Sequence, residues 1–262
     1  MTKYDPTFYI KNSITSASQI TPSSGPSDVN TIKLIDRNQD ITFSTASETT
    51  GTRTITITYT GSIDTIFIQN HNMEDFTIKY NTTLDFSTPI AMTGNTETNS
   101  YFEFNSQAVT SILISITKAS SEPSEVRIGQ IYIGQRLFRL PLDETATNSS
   151  RLLDVNSDRA GIIKLLSDAT SYKISIRKVI QFNLSGLIVT EALKTNLDLL
   201  ENRNRNSPIG FIPYPDTSPD SWDGIGGHFN IGLDYNSENF EHGIIGGKRL
   251  VNLKLFQAAG VS

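Results

Sequence analysis

The chain contains no cysteine, which excludes disulfides, thiol nucleophiles and thiolate metal sites from the outset. Long apolar runs are missing as well: none reaches the roughly 18 residues that a membrane-spanning helix requires. Met1 to Ile10 does not show the basic-then-apolar order of a secretory leader, so the expectation is a protein kept in a cytosol or released by lysis as part of a particle. Basic residues are scarce. The 22 lysines and arginines face 27 acidic residues, for a net charge of −5 with no basic block, which counts against a surface built to hold phosphates. Hydrophobic residues reach only 37% and charged residues 19%, both low for a helical enzyme. Threonine, serine, asparagine and isoleucine fill the gap, a mixture suited to strands with one polar, β-branched face.

The pattern along the chain agrees. Residues 1–29 read as an extended arm, because "SITSASQITPSSGPSD" is polar, broken by proline and without period. From Asn30 onward short strands follow. "TRTITITYTG" alternates strictly, with Ile55, Ile57 and Tyr59 on one face and Thr54, Thr56 and Thr58 on the other. "GSID" reads as a turn, then "TIFIQN" as a strand that brings Ile66 and Ile68 inward. Asn70, His71 and Asn72 read as the corner where that strand leaves the sheet, since asparagine bonds its own backbone in turns. "FTIKYN", "SYFEFN", "SILISITK" and "VRIGQIYIGQ" complete a set of about eight short strands, which implies an antiparallel sandwich over residues 30–135.

From Arg136 the texture changes. "RLPLDETATNSSRLLDVNSDRAG" reads as linker or loop, and "SYKISIRKVIQFNLSG" as a long strand. Residues 190–203 give the one convincing helix, with Leu193, Leu197 and Leu200 sharing a face and Thr190 placed to cap it. "PIGFIPYPD", broken by prolines, reads as an edge strand. "GGHFNIGLDYN" and "KRLVNLKLFQ" are two more strands. The second domain, 136–262, is therefore a β-sandwich or barrel with one packed α-helix.

Candidate chemistry is thin. His71, His228 and His242 lie in separate turns with no metal-ligand spacing between them, and read as exposed loop residues. "GGHFNIG" and "GIIGGKRL" are glycine-rich, but no helix follows either one to supply a phosphate site. Asp216, Asp220 and Asp223 surround Trp222. Two carboxylates beside an aromatic ring could serve a glycosidase, although a turn anchored by tryptophan explains the same residues. We assign no catalytic residue, metal ligand or cofactor and expect a non-enzymatic protein.

Taken in order, "LIDRNQDITFST", "TITITYTGSIDTIFIQNHN", "FTIKYN" and "VRIGQIYIGQ" resemble the discoidin-like, or galactose-binding-like, β-sandwich, with Asp36, Thr42 and Phe43 at its early turn. The form with "QNHN" and "IGQIYIG" is most similar to structural proteins of tailed bacteriophages. The second half resembles the tail-tube-like fold of tube, distal-tail and adaptor proteins in its order of elements. The resemblance implies a virion structural protein that forms a homo-oligomeric ring in the tail, tail tip or neck. It would contact other tail or neck proteins through the arm and the "ETATNSSRLLDVNSDRAG" loop, with no nucleic-acid sequence recognition and no membrane insertion. The alternative is a tail-associated carbohydrate-binding module that touches a surface glycan. Some discoidin-like relatives hold calcium near the early turn, where Asp36, Asn38 and Asp40 offer oxygens at alternate positions; a plain turn explains them equally.

Overall fold

The computed structural model describes residues 7–9, 12–23, 31–35, 42–44, 51–118, 125–139, 153–165, 171–189, 195–200, 209–212, 227–233 and 249–257. In chain order the strands are β1 (Thr7–Tyr9), β2 (Ile20–Pro22), β3 (Phe43–Ser44), β4 (Gly51–His71), β5 (Asp75–Tyr80), β6 (Ile90–Met92) and β7 (Ser100–Lys118), then β8 (Arg127–Gly134), β9 (Arg136–Arg139), β10 (Leu153–Leu165), β11 (Ser171–Val189), β12 (Ile209–Ile212), β13 (Gly227–Leu233) and β14 (Arg249–Gln257). The fold is mainly β with antiparallel pairing, as the composition and the alternation led us to expect. The chain forms two compact units. The first holds residues 1–139, 210–227 and 259–262, and the second holds 140–209 and 228–258.

In the first unit one sheet runs in the order β3-β8-β4-β7-β5-β6, with β2 added beside β4. Two long strands make it a sandwich. The first half of β4 pairs Gly51 to Thr58 with Lys118 to Ser111 of β7, and the second half pairs Thr65 to Ile68 with Glu103 to Ser100. Between the halves the register shifts twice, at Thr58/Gly61 and at Ile63/Thr65. These are β-bulges, which bend a strand and re-aim its side chains. "GSID" is therefore not a turn, and the two strands expected on either side of it are one. "SYFEFN" and "SILISITK" likewise form the single strand β7. A turn would have broken the ladder, whereas bulges let both long strands bend together and stay paired.

The bend closes one core. Ile55 and Ile57 from the first half, Ile63 between the two bulges, and Ile66 and Ile68 from the second half share a buried cluster with Ile112, Ile114, Ile116, Ile128, Ile131 and Ile133. Inward positions are odd-numbered before the bulges and even-numbered after them, so the bulges correct the parity as the sheet turns. Tyr59 packs against this cluster while only partly buried. Thr54 and Thr56 are half-buried and Thr58 is exposed, so the expected polar face is present. The apolar stretch that begins at Thr31 is a single 3-10 turn, Thr31–Leu34, and Leu34 plugs the core from it.

The segment read as an arm holds two strands. β2 pairs with Ile55–Ile57 of β4, and β1 lies between β12 and β9 with Phe8 in register with Phe211 and Phe138. These three rings form a buried row, with Phe8 centroids 4.9 Å from each neighbour. Between the two strands the amide of Asn12 stands in for backbone: Nδ2 donates to Ile131 O at 2.9 Å, and Oδ1 accepts from Ile133 N at 3.1 Å. On the outward face of β4 and β8, Tyr9 gathers with Phe67 and Tyr132, and Tyr101 packs against them. The Tyr9 and Tyr101 hydroxyls bond one another, and Arg136 and Arg139 both pair with Glu103. Burial raises the Tyr9, Tyr101 and Tyr132 phenols above their usual range, so these hydroxyls stay protonated.

In the second unit β11 pairs with β10 and with β14, and β14 also pairs with β13. Residues 153–161, expected within a loop, belong to the strand β10, which pairs with β11 from Leu153 to Leu165. The described helix covers 195–200. Leu197 and Leu200 are buried on it as the spacing requires, and Leu199 is exposed; Thr190 and Leu193 lie outside the described residues.

Candidate ligand cleft

Five strand ends of the first unit converge at one edge of the sandwich: the ends of β4 and β6 and the starts of β5, β7 and β8. The backbone between them is held by asparagine amides. Asn70 sits in the left-handed region at φ 50°, a conformation asparagine tolerates better than most residues. Its N–H donates to the Asn99 side chain at 3.0 Å. Asn72 bonds the start of β8 through both amide atoms, donating to Glu125 O at 2.9 Å and accepting from Arg127 N at 2.7 Å. Asn95 Nδ2 donates to Met73 O at 2.9 Å and to Glu97 O at 3.0 Å. Gly94, at φ 62°, gives its N–H to the Asp75 carboxylate at 2.7 Å. Positive φ costs glycine nothing and would strain most other residues.

His71 is buried here, at 2% exposure, and is not the exposed loop residue that the sequence implied. It ends β4 instead of lying in a turn. Its N–H bonds Thr98 O at 2.8 Å, and its ring packs edge-on to Phe76 at 5.8 Å. Nδ1 accepts from Met73 N at 3.2 Å, so the ring proton lies on Nε2 and is donated to Ser100 Oγ at 2.9 Å. Burial lowers the His71 pKa to about 4, which keeps the ring neutral at neutral pH.

These groups frame a cleft of about 510 Å³, with His71, Asn72 and Glu74 on one side and Gly94 to Thr98 on the other. The lining side chains are two carboxylates, two asparagine amides, two threonines and a neutral imidazole, with no phenylalanine, tyrosine, tryptophan, lysine or arginine. Asn95 is 93% buried, being 7% exposed, and its Oδ1 has no hydrogen-bond partner. The amide orientation is fixed because Nδ2 already serves two carbonyls. A buried acceptor left unpaired costs about 1–3 kcal/mol, and this atom is closed off within the wall beneath the cleft.

Of the residues singled out from sequence, His71 and Asn72 reach this cleft. His228 lies in β13 instead of a turn. Phe43 is buried at 1% exposure and Thr42 is half-buried beside it. Asp36, Asn38, Asp40, Asp216, Asp220, Trp222, Asp223 and His242 lie outside the described residues. Among the described residues no group of three or more His, Asp or Glu side chains could hold a metal ion. Sequence reasoning missed the 93–99 loop, "TGNTETN". Its one available signal was a glycine inside an unbroken polar run between two strands, which marks a shaped loop but no chemistry.

No protein-family model and no curated protein matches the chain. Among solved structures, similar ones include chitosan-binding module 1 of a chitosanase/glucanase from Paenibacillus sp. IK-5, at 13% identity and TM-score 0.36 over 44% of this chain and 92% of that one. The family 32 carbohydrate-binding module of Clostridium perfringens NanJ, solved with galactose, is 14% identical with TM-score 0.35 over 49% of this chain and 98% of that one. A Ruminococcus gnavus GH29 fucosidase, solved with fucose, is 14% identical with TM-score 0.38 over 48% of this chain and 26% of that one. Likeness at this level identifies neither a ligand nor a site.

Proposed function

We propose that the first unit is a carbohydrate-binding module and that the cleft beside His71 is its ligand site. The cleft's lining of amide, carboxylate and hydroxyl side chains carries this reading. A sugar presents a ring of hydroxyls, each both donor and acceptor, and suits such a lining better than an apolar ligand would. The loop is held by its own asparagine bonds, so little ordering cost remains to be met on binding. Without an aromatic platform, affinity would come from hydrogen bonds. The sequence resemblance to discoidin-like sandwiches agrees with this role.

A glycan array on the intact chain, followed by calorimetry, tests the proposal. Binding is expected, and Thr96→Leu with Thr98→Leu, which replace two exposed hydroxyls at the rim with branched apolar groups, should abolish it. An array with no hit, or binding untouched by the double variant, removes the cleft as a sugar site. The ring-forming tail component rests on the sequence resemblance alone and finds no support in the comparisons. It requires a closed oligomer, and light scattering that shows a monomer would remove it.

A further inference from the structure

We propose that the cleft is acid-labile: a proton on Nδ1 of His71 unseats the 93–99 loop and dismantles the cleft, so that an occupant is shed as pH falls. The loop is tied to the corner between β4 and β5 by hydrogen bonds that meet at His71 and Met73. Met73 N–H donates to His71 Nδ1 at 3.2 Å, and Met73 O accepts from Asn95 Nδ2 at 2.9 Å. His71 N–H bonds Thr98 O at 2.8 Å, and Nε2 donates to Ser100 Oγ at 2.9 Å where β7 begins. Asn95 N–H adds a bond to Glu74 O at 3.0 Å. A proton on Nδ1 turns the acceptor into a donor that faces Met73 N–H. The bond is then lost and a charged ring is left buried. The charged groups on the elements packed around the ring are Glu74 and Asp75 from the corner into β5, Glu97 on the loop, and Glu125 and Arg127 at the start of β8. Burial is what lowers the His71 pKa, and none of these groups offsets it. To hold a proton the ring must leave its seat, and the Met73 link to Asn95 goes with it. The loop yields before the sheets do. Thr93, Gly94, Thr96 and Thr98 are exposed, whereas Ile112, Ile114 and Ile116 lie in the isoleucine core, and sparsely buried segments are the ones that open locally. An occupant held only by the closed form loses affinity as that form is depleted. The opening of the loop does not rest on the carbohydrate reading; only the identity of the occupant as a sugar does.

Amide hydrogen exchange on the full chain, read by mass spectrometry between pH 7 and pH 4 and corrected for intrinsic exchange, tests this without any ligand. The opened ring titrates at 6.5 and the seated ring at about 4. The open population should therefore rise tenfold per pH unit between those values, about 300-fold in all. Peptides covering residues 71–75 and 93–99 should lose protection to that extent, while residues 112–116 should still exchange slowly at pH 4. His71→Gln should make loop protection insensitive to pH over this range. Asp75→Asn keeps an acceptor for Gly94 N–H but cannot take a proton, and should retain the full dependence. Constant loop protection from pH 7 to pH 4 in the native chain overturns the proposal. So does a loss shared equally by the loop and residues 112–116, which is unfolding of the whole unit. A dependence that survives His71→Gln or vanishes in Asp75→Asn overturns it as well, because another group is then the sensor. The native chain alone decides the first two outcomes, should either variant fail to fold.

Discussion

The two halves of β4 share one strand and one partner, β7, yet they are different kinds of surface. From Thr54 to Thr58 burial alternates, with Ile55 and Ile57 buried and the threonines between them half-buried or exposed. From Thr65 to Gln69 five successive residues are buried. The first half has a core on one side only. The second has the isoleucine core on one side and the tyrosine cluster on the other, with Phe67 facing Tyr101 at 6.4 Å. Strands covered on both faces read as continuous apolar runs and lose their alternation. "TIFIQ" is such a run, and it marks where a second layer arrives, one that includes β1 from the far N-terminus.

That comparison can be broken by substitution. Phe67→Ala should cost about 3–5 kcal/mol, as large aromatic truncations in packed cores do, measured by chemical denaturation. If it costs no more than an exposed threonine, the outward face is not a packed layer. The same end of β4 carries His71. Its folded-state pKa is lowered from 6.5 to about 4, so between these values the unfolded chain binds the proton that the folded chain refuses. Stability should therefore be complete above pH 6.5 and fall as pH drops toward 4, by up to roughly 3 kcal/mol at 1.36 kcal/mol per pH unit. His71→Gln should flatten that slope. An unchanged slope in the variant would show that other groups cause it. Asn72→Ala leaves Arg127 N–H and Glu125 O without their side-chain partner, and because water reaches both groups the cost should be about 0.5–1.5 kcal/mol. In the first half of the strand, Thr58→Ala on the polar face should stay within about 0.5 kcal/mol. A large effect there would erase the distinction between the halves.

Much of this was legible beforehand, for a reason that differs from one residue to the next. Ile112, Ile114 and Ile116 announced an inward face because a strand with one wet side must alternate. Leu197 and Leu200 did the same at helical spacing. "GSID" misled because glycine and serine in an apolar context read as a turn, while a bulge uses similar residues and preserves the ladder. Asp64, placed within that bulge, receives Arg136 N–H at 2.7 Å, a contact between residues too distant in sequence for any local pattern to join them. His71 misled in the opposite direction. A histidine between two asparagines looks wet, yet Ser100 and the Met73 backbone satisfy both ring nitrogens and permit burial.

By itself the sequence determined a mainly β chain with no thiol chemistry, and it fixed the inward side of each alternating strand, because these follow from composition and from a period of two. The tertiary structure decided the rest. It joined strands across bulges, inserted Thr7–Tyr9 between β9 and β12, and placed His71 beside the 93–99 loop to form the cleft. Burial on a second face, the partners of a polar ring and the lining of a cleft are set by contacts between distant segments, and no local period encodes which segments will meet.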